Sequence, residues 1–244
     1  SARHTDHIIT ISESIRQQLI GIGIDKSKIT TVHNSIEIQK ESSLSQQKSV
    51  IEKFGIHDRP LCGVFGRITR WKGQHVFIRA VSLARERIPE ICGIVVGSPP
   101  KGAEPYLAEL TGLVEALSLD EHIVFTGYQK NVAAFYEAVD IVVLPSVEPE
   151  PFGRTVIEAM GVGKATIATA MGGPLEIIEK GVDGYLVEPG REEPLADLIC
   201  FLIENENQRK TIGKNAENKI REKFGTAAQA QKINDIYRSM TASV

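Results

Sequence analysis

Short apolar runs alternate with longer amphipathic stretches along most of this chain, and that alternation restricts the fold more than any other feature. The strand candidates are His7–Ser12, Leu61–Phe65, Ile91–Val96, His122–Thr126, Ile141–Leu144, Ala165–Thr169 and Tyr185–Val187. Several of them, such as ICGIVVG and DIVVLP, are near-continuous Val/Ile runs. Such runs suit strands covered on both faces, hence a parallel sheet. Between them, Val76, Phe77, Ala80, Val81, Ala84 and Ile88 stripe one predicted helix, and Leu195, Leu198, Ile199, Leu202 and Ile203 stripe another. Ile212, Ala216 and Ile220 mark a third, and Ala230, Ile233, Tyr237 and Met240 a fourth. Strands alternating with helices in this way predict an open, Rossmann-like, doubly wound α/β sheet.

One segment breaks the pattern. Glu37–Lys53 is polar and Ser/Gln-rich, and its first part reads as a linker. Ahead of it lie only a strand, a short helix (Ser14–Ile20) and a second strand (Ile29–Val32), too little to bury a core. That piece reads as the tail of another domain. The chain also lacks an initiator methionine, so a fragment of a longer protein is expected.

Composition excludes several classes. With 42% hydrophobic and 24% charged residues, the 244-residue chain is globular in type. A net charge of −3 lacks the basic excess of a duplex-binding protein, so no nucleic-acid partner is expected. Cys62, Cys92 and Cys200 form no CxxC pair, which points to a reducing, cytoplasmic setting and to small buried residues. No apolar run approaches the roughly 20 residues of a membrane span. Six cations lie within Arg209–Lys223, interleaved with Glu217 and Glu222. They read as a solvated face, with peripheral association with the cytoplasmic membrane face left open as the alternative.

In open α/β sheets, ligands bind beyond the carboxyl ends of the strands, so the loops there carry the information. After LCGVF comes Gly66-Arg67-Ile68-Thr69-Arg70-Trp71-Lys72-Gly73, where two glycines bracket three cations just before a helix. Helix-start N–H groups with Arg and Lys form an anion site, against the plain alternative of a solvated basic loop. After IVVLPS comes Val147-Glu148-Pro149-Glu150-Pro151-Phe152-Gly153, then a helix carrying Glu158. A carboxylate accepts two hydrogen bonds and so suits a vicinal diol, though acids at a helix start also serve its dipole. After ATIATA comes Met171-Gly172-Gly173-Pro174-Leu175-Glu176, which permits close backbone approach and starts a helix. There is no DxD pair for a divalent metal, no Walker A loop, no G-x-S-x-G elbow and no G-x-G-x-x-G after either first strand. His4 and His7 lack the further ligands zinc needs.

Together these loops resemble the nucleotide-sugar-binding half of the retaining GT-B glycosyltransferases (glycosyl transferases group 1). G-R-x4-K-G matches Gly66-Arg67…Lys72-Gly73, and E-x7-E matches Glu150…Glu158. The latter sits within P-S-x-x-E-x-F-G-x4-E-A-M, from Pro145 to Met160, and G-G-x-x-E matches Gly172…Glu176. The resemblance implies that Arg67 and Lys72, with Gly66, hold the diphosphate and neutralise the leaving group without a metal or other cofactor. Glu150 would hold sugar hydroxyls, assisted by backbone N–H groups around Phe152, Gly153, Arg154 and Thr155. Glu158 would grip the ribose, and Tyr128 would lie near the base. The implied donor is a UDP-, GDP- or ADP-sugar.

The implied acceptor is a saccharide or lipid-linked molecule, bound through an N-terminal domain. On this pattern, residues 1–38 are the tail of that acceptor domain and its linker. Residues 39–225 are the donor domain, and 226–244 are a helix crossing back. A non-catalytic nucleotide-sugar-binding module and a nucleotide-sugar epimerase relative are the alternatives. Two positions depart from the family pattern: Trp71, where many members carry an acid, and His33-Asn34-Ser35, where Asn-Gly is usual.

Overall fold

A computed structural model of the chain describes residues 5–37, 50, 52–56 and 59–241. Most of the predicted linker therefore lies outside the described residues. Among the described residues eight strands form, in chain order β1 (Ile8–Thr10), β2 (Ile29–Thr31), β3 (Leu61–Phe65), β4 (Cys92–Val96), β5 (Ile123–Gly127), β6 (Ile141–Leu144), β7 (Ala165–Thr169) and β8 (Tyr185–Val187). The helices are α1 (Glu13–Gly21), α2 (Gln74–Arg85), α3 (Glu104–Ala116), α4 (Ala133–Ala138), α5 (Arg154–Gly161), α6 (Pro174–Ile177), α7 (Glu192–Glu204), α8 (Glu206–Lys223) and α9 (Thr226–Thr241).

Strands β3 to β8 make one parallel sheet in the order β5-β4-β3-β6-β7-β8. The chain winds outward from β3 through β4 to β5, then returns and winds outward the other way from β6. The winding direction thus reverses between β3 and β6, which pair directly from Cys62 opposite Ile141 to Val64 opposite Val143. That crevice is where open α/β sheets take their ligands. Helices cover both faces, which is why the central strands are buried at every residue. On one face, Phe77 and Val81 of α2 pack with Leu195 and Ile199 of α7 over Val64, Val143 and Ile167. Phe77 is fully buried, so truncating it to Ala would cost about 3–5 kcal/mol in lost transfer energy and cavity. On the other face, Phe135 of α4 packs near Phe65 and Ile94, while α5 and α8 meet over Leu144 and Ala168.

The segment between β4 and β5, which sequence periodicity leaves unassigned, is the helix α3. Pro105 sits in its first turn, and Tyr106, Leu110 and Val114 form a narrow buried stripe. The N-terminal piece forms its own two-stranded parallel sheet of β1 and β2, with α1 between them in sequence. Helix α9 buries no residue, and Tyr237 on its apolar stripe is exposed. Among the described residues, no helix is long and apolar enough to cross a membrane.

Candidate functional site

The loops after β3 and β6 meet directly above the crevice. A 3₁₀ turn at Arg70–Lys72 ends the first loop, and the Val147 N–H donates to the Trp71 carbonyl at 2.8 Å. Gly73 follows with φ 72°, and a Cβ there would overlap the Pro145 carbonyl oxygen. Only glycine allows both that backbone angle and that approach. The third loop joins at the same edge: the Gly173 N–H donates to the Glu150 carbonyl at 2.8 Å. A Cβ on Gly173 would overlap the backbone of Phe152. The three loops identified in the sequence are thus one assembly.

Lys72 and Glu150 face each other across the crevice. The Lys72 ammonium donates to Glu150 Oε2 at 2.6 Å, with both side chains largely buried. The Ser146 hydroxyl donates to the same oxygen at 3.2 Å. Among the described residues no donor reaches Oε1 of Glu150, so one carboxylate oxygen remains open for a hydroxyl. The Lys72 ammonium also lies 4.3 Å from the centroid of the Trp71 ring. Of the other two loop cations, Arg70 turns away to pair with Glu109 and rest on the Tyr106 ring. Arg67 is exposed, and its guanidinium has no partner among the described residues, although its carbonyl is held by the Gln74 amide at 2.9 Å. One exposed cation beside one ordered cation is an arrangement that can receive a diphosphate.

Glu158 lies on the neighbouring side of α5. Gly153, at φ 101°, starts that helix without a side-chain cap. The N–H groups of Phe152, Gly153, Arg154 and Thr155 find no acceptor among the described residues, so the helix start presents free donors. The Thr155 hydroxyl, 3.4 Å from the Phe65 carbonyl, ties this first turn to the end of β3 beside Gly66. Glu158 Oε1 accepts from Arg154 at 2.9 Å, and Oε2 accepts from the Tyr136 hydroxyl at 2.9 Å. Tyr136 is buried and stacked on Phe65, with centroids 4.0 Å apart. Burial, and then the Glu158 carboxylate, push its phenol well above the usual tyrosine range. A groove of ≈ 340 Å³ borders Glu158, lined also by Tyr136, Arg154, Ala133 and Ile36. No hydrogen bond joins the Lys72–Glu150 pair to the Glu158–Arg154 pair. They share the sheet edge, separated by the first turn of α5.

Two predicted residues have restricted roles. The Phe152 side chain is buried, stacked 5.8 Å from His33 and facing Phe224, so only its backbone can face a ligand. Tyr128, just beyond the carboxyl end of β5, is 75% exposed and lies two strands from the crevice.

Sequence reasoning missed Ser146, Tyr136 and a clasp around Glu176. Glu176 accepts from the Glu13 and Ser14 N–H groups at 2.7 and 2.9 Å, so it caps α1 from across the chain. Its Oε2 also lies 2.9 Å from His33 Nε2. The Ser12 hydroxyl donates to the Pro151 carbonyl at 2.6 Å. These bonds seat the N-terminal piece against the loops of the site. His33, which the sequence marks only as part of the His33-Asn34-Ser35 departure from the family pattern, belongs to that seat, and its pairing with Glu176 has no local signal.

A doubly wound parallel sheet with cations, carboxylates and free helix-start donors gathered at its switch point defines an α/β domain with the chemistry to receive an anionic, hydroxyl-bearing ligand. The chain belongs to the glycosyl transferases group 1 family, whose model matches residues 46–219. It is 29% identical over 98% of its length to an uncharacterized glycosyltransferase of Methanocaldococcus jannaschii, covering 59% of that protein. It is 27% identical over 95% of its length to the capsular polysaccharide biosynthesis glycosyltransferase CapM of Staphylococcus aureus, covering 61% of it. The chain thus spans about three fifths of the length of these curated relatives. Among solved structures it resembles Anabaena HepE in complex with UDP-glucose. There the TM-score is 0.93 at 30% identity, covering 98% of this chain and 65% of that one. This solved GT-B neighbour shares the fold described above.

Proposed function

We propose that this chain is the donor-binding half of a metal-independent, retaining glycosyltransferase. It would move a hexose from a nucleoside-diphosphate sugar to a saccharide or lipid-linked acceptor. The observation that carries the reading is the buried Lys72–Glu150 pair spanning the switch point, with one Glu150 oxygen open and Arg67 unpaired beside it. In this reading Arg67 and Lys72 bind the diphosphate. As the bond from sugar to phosphate breaks, negative charge grows on the departing oxygen. The two cations, Lys72 ordered and Arg67 free to close on the phosphate, offset it where other enzymes use a metal. Glu150 holds a sugar hydroxyl through Oε1, and the free N–H groups at the start of α5 assist. Glu158 takes the ribose diol once Arg154 swings aside, which its 70% exposed side chain permits. The neighbour solved with UDP-glucose supports a nucleotide-sugar donor.

Residues 1–38 are then the end of an acceptor domain with its linker, and 226–244 return to it. The seat formed by Ser12, Glu13, Ser14 and His33 against Pro151 and Glu176 supports that junction. Calorimetry of the chain with UDP, GDP and ADP tests the reading. One of them binds, and Lys72→Ala weakens it by about 10- to 100-fold, in line with the loss of a charge-assisted contact of about 1.5–3 kcal/mol. Heat from none of the three refutes it.

A further inference from the structure

We infer that Trp71 is a positioning residue, whose indole face holds the Lys72 ammonium in the place from which it meets the donor. This rests on the reading of Lys72 as a diphosphate ligand. A lysine ammonium sits on a flexible four-carbon stem, and in solution it samples many positions. Here it is fixed from two sides, by Glu150 Oε2 at 2.6 Å and by the Trp71 ring at 4.3 Å. The backbone that carries the ring is fixed. Its residue lies in the 3₁₀ turn Arg70–Lys72, whose Trp71 carbonyl accepts the Val147 N–H, and whose end is locked where Gly73 abuts the Pro145 carbonyl. The turn thus sets the backbone of Trp71 and Lys72 against the β6 loop, with the ring facing the ammonium.

The three ammonium donors divide accordingly. One goes to Glu150, the indole π-face covers a second side, and the remaining direction is left for an incoming phosphate oxygen. Glu150 alone would not achieve this, because a carboxylate that also holds a sugar hydroxyl can shift with its ligand. The aromatic face carries no competing proton acceptor and does not move with the sugar. Weakening that face leaves the ammonium held by Glu150 alone, and donor affinity falls because part of its ordering must then be met on binding.

The sequence contains one tryptophan, so replacing it throughout with fluorinated analogues alters this ring alone. Fluorination drains the π-face stepwise with little change in shape. Calorimetry with UDP on the 244-residue chain is expected to show affinity falling stepwise with fluorine count, by about fivefold in all, at an unchanged melting temperature. Trp71→Leu should bind UDP about tenfold more weakly than the native chain, with Trp71→Phe between them. Affinity that is flat or rising across the fluorinated series, with UDP still bound by the native chain, overturns this inference alone. A native chain that binds no UDP overturns it together with the donor-site reading.

Discussion

Removing Lys72 should damage the fold and the site separately, and a double-mutant cycle distinguishes the two. Its side chain is 13% exposed and that of Glu150 is 9%. In Lys72→Ala, the Glu150 carboxylate keeps only the Ser146 hydroxyl, 3.2 Å away. Breaking a fully buried pair from one side costs about 3–5 kcal/mol. At a crevice edge water reaches part of the carboxylate, so about 2–3 kcal/mol is the appropriate figure. For a chain of this size that lowers the melting temperature by about 4–12 °C. Glu150→Ala should cost less, about 1–2 kcal/mol, because a freed lysine can reach solvent. The double variant should lose no more than Lys72→Ala alone, giving a coupling of about 1–2 kcal/mol in urea unfolding. Its UDP binding should stay as weak as that of Lys72→Ala, since removing Glu150 does not restore the charge. A cycle that closes to within about 0.5 kcal/mol would show that the two groups are not coupled. Recovery of UDP binding by the double variant would remove Lys72 from the site.

Gly73→Ala forces a Cβ onto the Pro145 carbonyl at φ 72°. It should cost at least about 2 kcal/mol in left-handed strain and displacement, read by thermal unfolding, with UDP affinity falling alongside. An unchanged melting temperature would mean that the two loops do not abut. Glu176→Ala frees the Glu13 and Ser14 N–H groups and leaves α1 with only its Ser12 cap, and amide exchange should rise by about tenfold over residues 8–31 while β3 and β6 keep their protection. Equal loosening of the central strands would place Glu176 in the core instead. Tyr136 is held protonated in the fold, by burial first and by Glu158 second. The unfolded chain loses that proton near pH 10, the folded chain only above it. Folding stability from this group is therefore full below about pH 10 and declines as pH rises beyond it. Tyr136→Phe should flatten that alkaline decline in melting temperature between pH 9 and about 11.5, and identical profiles would refute the buried phenol.

Much of the sheet was legible because its central strands are covered on both faces. Burial on both sides demands continuous apolar runs, so Leu61–Phe65, Ile141–Leu144 and Ala165–Thr169 form strands with those bounds, and the edge strand Tyr185–Val187, half-buried, also keeps its predicted bounds. β5 sits one residue later than its apolar run suggests, ending at Gly127. Its register against β4 shifts near Val96, which faces Gly127. Helix α3 escaped because a stripe of three residues spaced by four, Tyr106, Leu110 and Val114, is too narrow to stand out. The site loops were legible because glycine and proline punctuate them and charged residues cluster between. Tyr136, Ser146 and the Glu176 clasp were not. Glu176 meets α1 across more than 160 residues of chain, and such a bond leaves no local periodicity. The same holds for His33, whose partners Glu176, Phe152 and Phe224 are all distant in sequence.

A crystal of this chain soaked with UDP-glucose bears most directly on the central claim. The diphosphate should lie between Arg67 and the Lys72 ammonium, the ribose on Glu158 with Arg154 displaced, and a sugar hydroxyl on Oε1 of Glu150. Density for the nucleotide away from the crevice between β3 and β6, with the diphosphate out of reach of Lys72, would contradict it.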